Sequence, residues 1–146
     1  MTVPRRLPVG ALAVVRTIRR LGPYGLRTAM WAAWTCHQVR RQLARGGMDA
    51  VHLSAPPPLS GSDRAVVLAV VRRVGATCLE RSFVLQRWYA GQQTSRVLVI
   101  GVTAPRLGFR AHAWLDGDTE AAHHEMVEIL RRPPPDDWLT TVRHPR

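Results

Sequence analysis

Residues 77–116 read TCLERSFVLQRWYAGQQTSRVLVIGVTAPRLGFRAHAWLD, and the change of texture inside this stretch decides the fold class. Its first part predicts a helix from Thr77 or Cys78 to about Tyr89, ended by Gly91. SRVLVIGVTA (95–104) is then a continuous β-branched run, the signature of a buried strand. Pro105 to Gly108 reads as a turn. FRAHAWLD (109–116) alternates and predicts a second strand, and Asp116-Gly117 is a hairpin signal. Residues 119–126 either return as a third strand or open a helix that reaches Leu130, since Glu, Ala and Met favour helix. Pro133 to Pro135 stop that element, and 133–146 reads as a tail.

Working toward the N-terminus, SAPPPLSGS (54–62) is a Pro-rich loop, because three consecutive prolines fit neither a helix interior nor a central strand. Ser62-Asp63 offers a helix N-cap before RAVVLAVVRRV, which runs to Gly75. Further back, Leu12, Val15, Ile18 and Leu21 have helical spacing, Gly22-Pro23 breaks the pattern, and 25–45 resumes it until Gly46-Gly47. Helices come first and a small antiparallel sheet follows, which is an α+β arrangement. The expected organisation is one domain over 1–146. It has a helical part (1–53), the Pro-rich loop (54–62), a core (63–132) holding Cys78 and His112, and the tail (133–146).

Composition narrows the function classes. The chain has 146 residues, of which 46% are hydrophobic, enough to bury a core. Its formal net charge is +11, carried entirely by arginine. Such a surface attracts polyanions, acidic peptides or an acidic partner protein. The arginines are spread along the chain instead of clustering in a nucleic-acid reading module, so nucleic acid is not the expected partner. Two cysteines exclude a disulfide framework and a multi-Cys zinc module. No apolar run approaches the roughly 20 residues of a membrane span, and Arg16 interrupts the N-terminal apolar stretch too early for a signal-peptide core. The expected location is the cytoplasm, with reduced thiols.

Cys78 is the most informative thiol. At a helix start, unpaired N–H groups and the positive end of the dipole stabilise a thiolate, and Arg81 adds a positive charge one turn on. A nucleophile and a buried small hydrophobe are both open readings there. His112 sits between two alanines on a predicted strand, with Trp114 on the same face two positions on. A Cys with a distant His brought to it by the fold is the arrangement of cysteine nucleophiles. Cys36 lies inside a helix beside His37, where adjacent residues do not face each other, and reads as structural. His123-His124-Glu125 lacks further ligands at metal-binding spacing, so no metal or cofactor is expected.

Taken in order, Cys78-Leu79-Glu80-Arg81-Ser82, the apolar Phe83-Val84-Leu85, Val99-Ile100-Gly101-Val102 and Phe109-Arg110-Ala111-His112-Ala113-Trp114 resemble the transglutaminase-like cysteine peptidases of lasso-peptide biosynthesis. Those enzymes remove the leader from a precursor peptide. The likeness covers roughly residues 60–130 and, more weakly, the helical N-terminal part. It implies a papain-like core, with the nucleophile at the start of a helix packed on an antiparallel sheet that carries the His. Cys78 would be the nucleophile and His112 the general base and acid. The family places an acidic residue on the strand after the His, and an ungapped count reaches His124 here. Asp116 would lie about 13 Å along the His112 strand, too far to orient the ring. A hairpin centred on Gly117–Asp118 would instead bring 123–124 opposite His112, which makes His124 the expected third member, or Glu125 after a register shift. The resemblance also implies partners: the precursor's leader, a small leader-recognition protein acting in trans, and a macrolactam synthetase that receives the freed core peptide. A basic module that binds peptide or protein without catalysis is the alternative, and acyl transfer to an amine is a third possibility.

Overall fold

The computed structural model describes residues 9–58, 60–104, 106, 108–118 and 125–140, with side-chain surroundings for those between 22 and 139. Helix α1 (Val9–Gly46) spans both predicted N-terminal helices and kinks at Gly22, where φ is 65°. Pro23 follows the kink, where its missing N–H and fixed φ suit the first turn of the resumed helix. The inner face of α1 is Thr28, Ala32, Thr35, Cys36 and Val39, all buried. These small side chains let α2 (Arg64–Arg73) and α3 (Cys78–Gly91) pack close. Thr28 Oγ1 donates to the Asp63 carboxylate at 2.8 Å, tying α1 to the residue before α2.

Helix α3 is the centre of the fold, and from Ser82 to Trp88 every residue is buried. Two polar members of that run donate to backbone carbonyls. Gln86 Nε2 donates to the carbonyls of Arg96 and Arg132 at 2.8 and 3.0 Å. Arg87 Nε donates to the Leu53 carbonyl at 3.0 Å. Phe83, Leu85 and Trp88 join Val39, Val51, Val67, Val71, Leu98 and Leu115 in one core.

The sheet consists of β1 (Leu98–Thr103), β2 (Ala111–Leu115) and β3 (Met126–Arg132), in the order β2-β1-β3. β1 is antiparallel to both neighbours. Leu98 pairs with Leu115 and Gly101 with His112 on one side. On the other side Leu98 pairs with Arg132 and Gly101 with Glu128, with a bulge between Ile100 and Gly101 that leaves Ile129 as the extra residue. Helices and this antiparallel sheet make the expected α+β fold.

Three expectations need correction. The third strand exists, but it begins at Met126 and lies against β1, so β2 and β3 are not neighbours and do not form a hairpin. Pairing with β1 sets Leu130 beside Ile100. The strands are also shorter than 95–104 and 109–116. At one end Val97 N–H and the Arg96 guanidinium are engaged by Asp116; at the other, Arg110 N–H turns to Thr103 Oγ1. Finally, the tail holds a short helix, α4 (Asp136–Thr140), and Trp138 is only 3% exposed. Its ring lies under the Arg87 guanidinium, 5.2 Å from the centroid, and the indole adds a large apolar surface to the core. Among the described residues no helix is long and apolar enough to cross a membrane.

Candidate active site

The site is built on the first turn of α3. Thr77 caps the helix: its Oγ1 accepts the Glu80 N–H at 3.2 Å, and the Glu80 carboxylate accepts the Thr77 N–H at 3.0 Å. This reciprocal capping box makes Cys78 the first residue of the helix, half-buried. Glu80 has a second role. Arg40 of α1 grips its carboxylate with two hydrogen bonds of 3.0 Å, a bidentate geometry that fixes direction as well as distance. The helix start is therefore bolted to α1.

The hydrogen-bonded Arg40 guanidinium holds the Glu80 carboxyl below its ordinary value of 4.5; burial opposes the shift and the Thr77 N–H adds to it. A carboxyl whose pKa is lower folded than unfolded contributes stability that is complete above the unfolded value and fades as pH falls through the folded one. Glu80→Gln is expected to cost about 1–2 kcal/mol at neutral pH, the size of charge-assisted hydrogen bonds exchanged for neutral ones. Below about pH 4.5 the melting temperature of the native chain should fall more steeply than that of the variant. Parallel acid limbs would show that this carboxylate carries no such linkage.

Cys36 lies one turn before Arg40 on the inner face of α1 and is 2% exposed. Burial, then the Glu80 charge, push its thiol up to about 11, against the pull of Arg40. It is a core side chain held in the thiol form.

His112 is on β2, the strand on which α3 packs. Gly117 and Asp118, just after β2, share a cleft with Leu85 and Tyr89 of α3. Those two residues stand roughly 10 and 17 Å up the helix from Cys78 at 1.5 Å per residue. His112 precedes Gly117 by a similar distance, about 16 Å of strand. Leu98 and Leu115 face the helical core. By alternation Ala113, buried, shares that face, as does Ala111 at the exposed start of the strand, while His112 and Trp114 project from the other. Any approach of the imidazole to the helix start therefore passes round the edge of β2 and not through the sheet.

Trp114 is 6% exposed and stacks on His112, with ring centroids 6.1 Å apart and planes 19° from parallel. The far edge of its ring lies over Gly101, where a Cβ would meet Trp114 Cη2 at 2.7 Å and Met126 Cβ at 3.1 Å. The absence of a side chain at Gly101 is what lets the indole lie on β1 and flank the imidazole.

The acids near His112 have other positions. Asp116 accepts the Val97 N–H at 3.1 Å and pairs with Arg131 at 3.3 Å, closing the end of the β1–β2 pair. Glu125 adjoins β3, on the far side of β1 from His112, so a register shift does not bring it alongside. His123 and His124 lie outside the described residues. Among those described, no group of three or more His, Cys, Asp or Glu gathers to hold a metal ion. The Arg40–Glu80 anchor and Gly101 were not foreseen. Thr77-x-x-Glu80 is a readable capping-box signal; nothing local marks Arg40 or Gly101.

A family model described as the transglutaminase-like superfamily matches residues 9–130 of the chain. Comparison with curated proteins and with solved structures gives no match.

Proposed function

Because the chain belongs to the transglutaminase-like superfamily, a group that includes cysteine peptidases and transglutaminases, we propose that it is a cysteine peptidase that cleaves the leader from a lasso-peptide precursor. The observation that supports this reading is Cys78 at the first position of a doubly capped helix that packs on β2, the strand bearing His112. The lasso-peptide assignment rests on the Cys-Leu-x-Arg-Ser element at 78–82 and the Phe-x-Ala-His-Ala-Trp element at 109–114.

In this mechanism the Cys78 thiolate attacks the scissile carbonyl carbon and forms a C–S bond. His112 donates its proton to the leaving amine as the C–N bond breaks. Water then attacks the thioester with His112 as base, releasing a carboxylate and restoring the thiol. The capping box uses the N–H groups of Thr77 and Glu80 and leaves that of Cys78 as donor to the oxyanion. With β1 lying between β2 and β3, the hairpin that favoured His124 is not formed, and the mechanism names no orienting residue for His112. The partners are the leader, a small recognition protein in trans and the macrolactam synthetase downstream.

The test is incubation of the chain with a lasso precursor, with and without the recognition protein, followed by mass spectrometry. The expected result is hydrolysis at one bond, accelerated about tenfold or more by the recognition protein when precursor is scarce, through effective concentration. Equal rates with and without that protein would count against the partner. Precursor bound but intact would favour the non-catalytic module, and a product carrying an added amine would make the chain an acyltransferase.

A further inference from the structure

A cleft runs between α2 and α3 away from the candidate nucleophile. Near the helix start it is a cavity of about 280 Å³ with Arg72 and Ala76 on its wall. Through Leu68 and Arg81, which line both, it continues into a second cavity of about 360 Å³ bounded by Arg64, Tyr89, Arg96 and Asp118. Among the described residues, four guanidinium groups and the Asp118 carboxylate line a groove whose near end flanks Cys78 in sequence. The apolar floor is Leu68 with Val71 at one end and Leu85 at the other.

The far end is preorganised. Arg64 Nε donates to the Tyr89 hydroxyl at 2.8 Å. The Arg96 guanidinium lies over the same ring, 5.2 Å from its centroid, and donates to the Asp116 carbonyl at 2.8 Å. Gly117, at φ +84°, permits this, since a Cβ there would strike Arg96 Nη1. Tyrosine therefore holds two cations in place, one by its hydroxyl and one by its face, a cation–π arrangement.

We propose that this cleft binds an acidic segment of the peptide substrate. The distance from Arg81 to Tyr89 along α3 is about 12 Å, room for three or four extended residues. Arginine walls match carboxylates, and the leucine and valine floor matches the aliphatic parts of a peptide, which a nucleic acid lacks. The inference deepens the peptidase reading and rests on it for what lies at the near end: the acidic residues would fall within about five positions of the scissile bond.

Binding to the full chain tests it, read by fluorescence anisotropy with a labelled hexapeptide rich in glutamate and its glutamine counterpart. The acidic peptide is expected to bind about tenfold more tightly or better, a difference that added salt erodes. Arg64→Gln and Arg72→Gln, both exposed on α2, should each weaken it several-fold with the thermal transition little moved; Arg41→Gln, exposed on α1, should not weaken it. Equal affinity for the two peptides overturns the proposal. So does an equal loss from Arg41→Gln, which would mean a response to net charge alone. An oligonucleotide that binds more tightly with the same dependence on Arg64 and Arg72 would make nucleic acid the ligand. Selective binding with no precursor ever cleaved would sink the peptidase reading alone. Equally fast cleavage of precursors with and without acids near the scissile bond would sink the cleft assignment alone.

Discussion

Cys78→Ala is expected to abolish cleavage, with a loss of about a thousandfold or more, while the protein remains folded. The helix start does not depend on the thiol: Thr77 and Glu80 cap it, and Arg40 anchors it. Alanine also has the higher helix propensity, so the thermal transition should move little. Cys36→Ala should show the opposite pattern. Its side chain is in the core, and removing the sulfur should cost about 1 kcal/mol through lost packing while cleavage persists. Mass spectrometry of precursor digests, paired with circular dichroism, separates the two variants. A folded Cys78→Ala protein with full activity would end the assignment.

Gly101→Ala should destabilise the protein and cut activity together, although alanine normally suits a strand better than glycine by about 0.5–1 kcal/mol. The added methyl would stand 2.7 Å from Trp114 Cη2 and 3.0 Å from Cζ3. The indole is buried and rigid, so it cannot fold away as a flexible chain would. The expected cost is about 1–3 kcal/mol, the range for overpacked cores. Displacing Trp114 also moves the surface on which His112 stacks, and a misplacement of about 1 Å at a reacting group costs on the order of a hundredfold in rate. Gly101 and Trp114 act here as positioning residues. Adding Trp114→Phe should recover part of the stability lost by Gly101→Ala, because the smaller ring vacates the space the methyl needs; a double-mutant cycle on urea midpoints reads this coupling. Additive losses would show that the two side chains do not compete for one space.

The order of elements was legible in the sequence because each rests on local backbone geometry. Apolar spacing of three and four residues marked the helices, and Gly22-Pro23 marked the kink in α1. The β-branched run at 98–103 and the alternation through Ala111–Leu115 marked two strands. Thr77 and Glu80, three apart, place Cys78 at a helix start before any tertiary contact forms. Alternation likewise sets His112 and Trp114 on one face.

Partner choice was not legible, because it depends on which surfaces the compact chain brings together. Periodicity says which side chains of 126–132 share a face but not which strand edge they meet, and β3 joined β1, leaving β2 beside the helix. The proline run suggested only a stop, yet Trp138 beyond it fills the core under Arg87. Arg40 and Glu80 lie 40 positions apart, and nothing in either neighbourhood selects the other. The space above Gly101 is defined by a tryptophan from the next strand. Local conformational preferences act along the chain and can be read from it; packing, charge pairing and the exclusion of atoms from one another's space act across it, and exist only once the fold has closed.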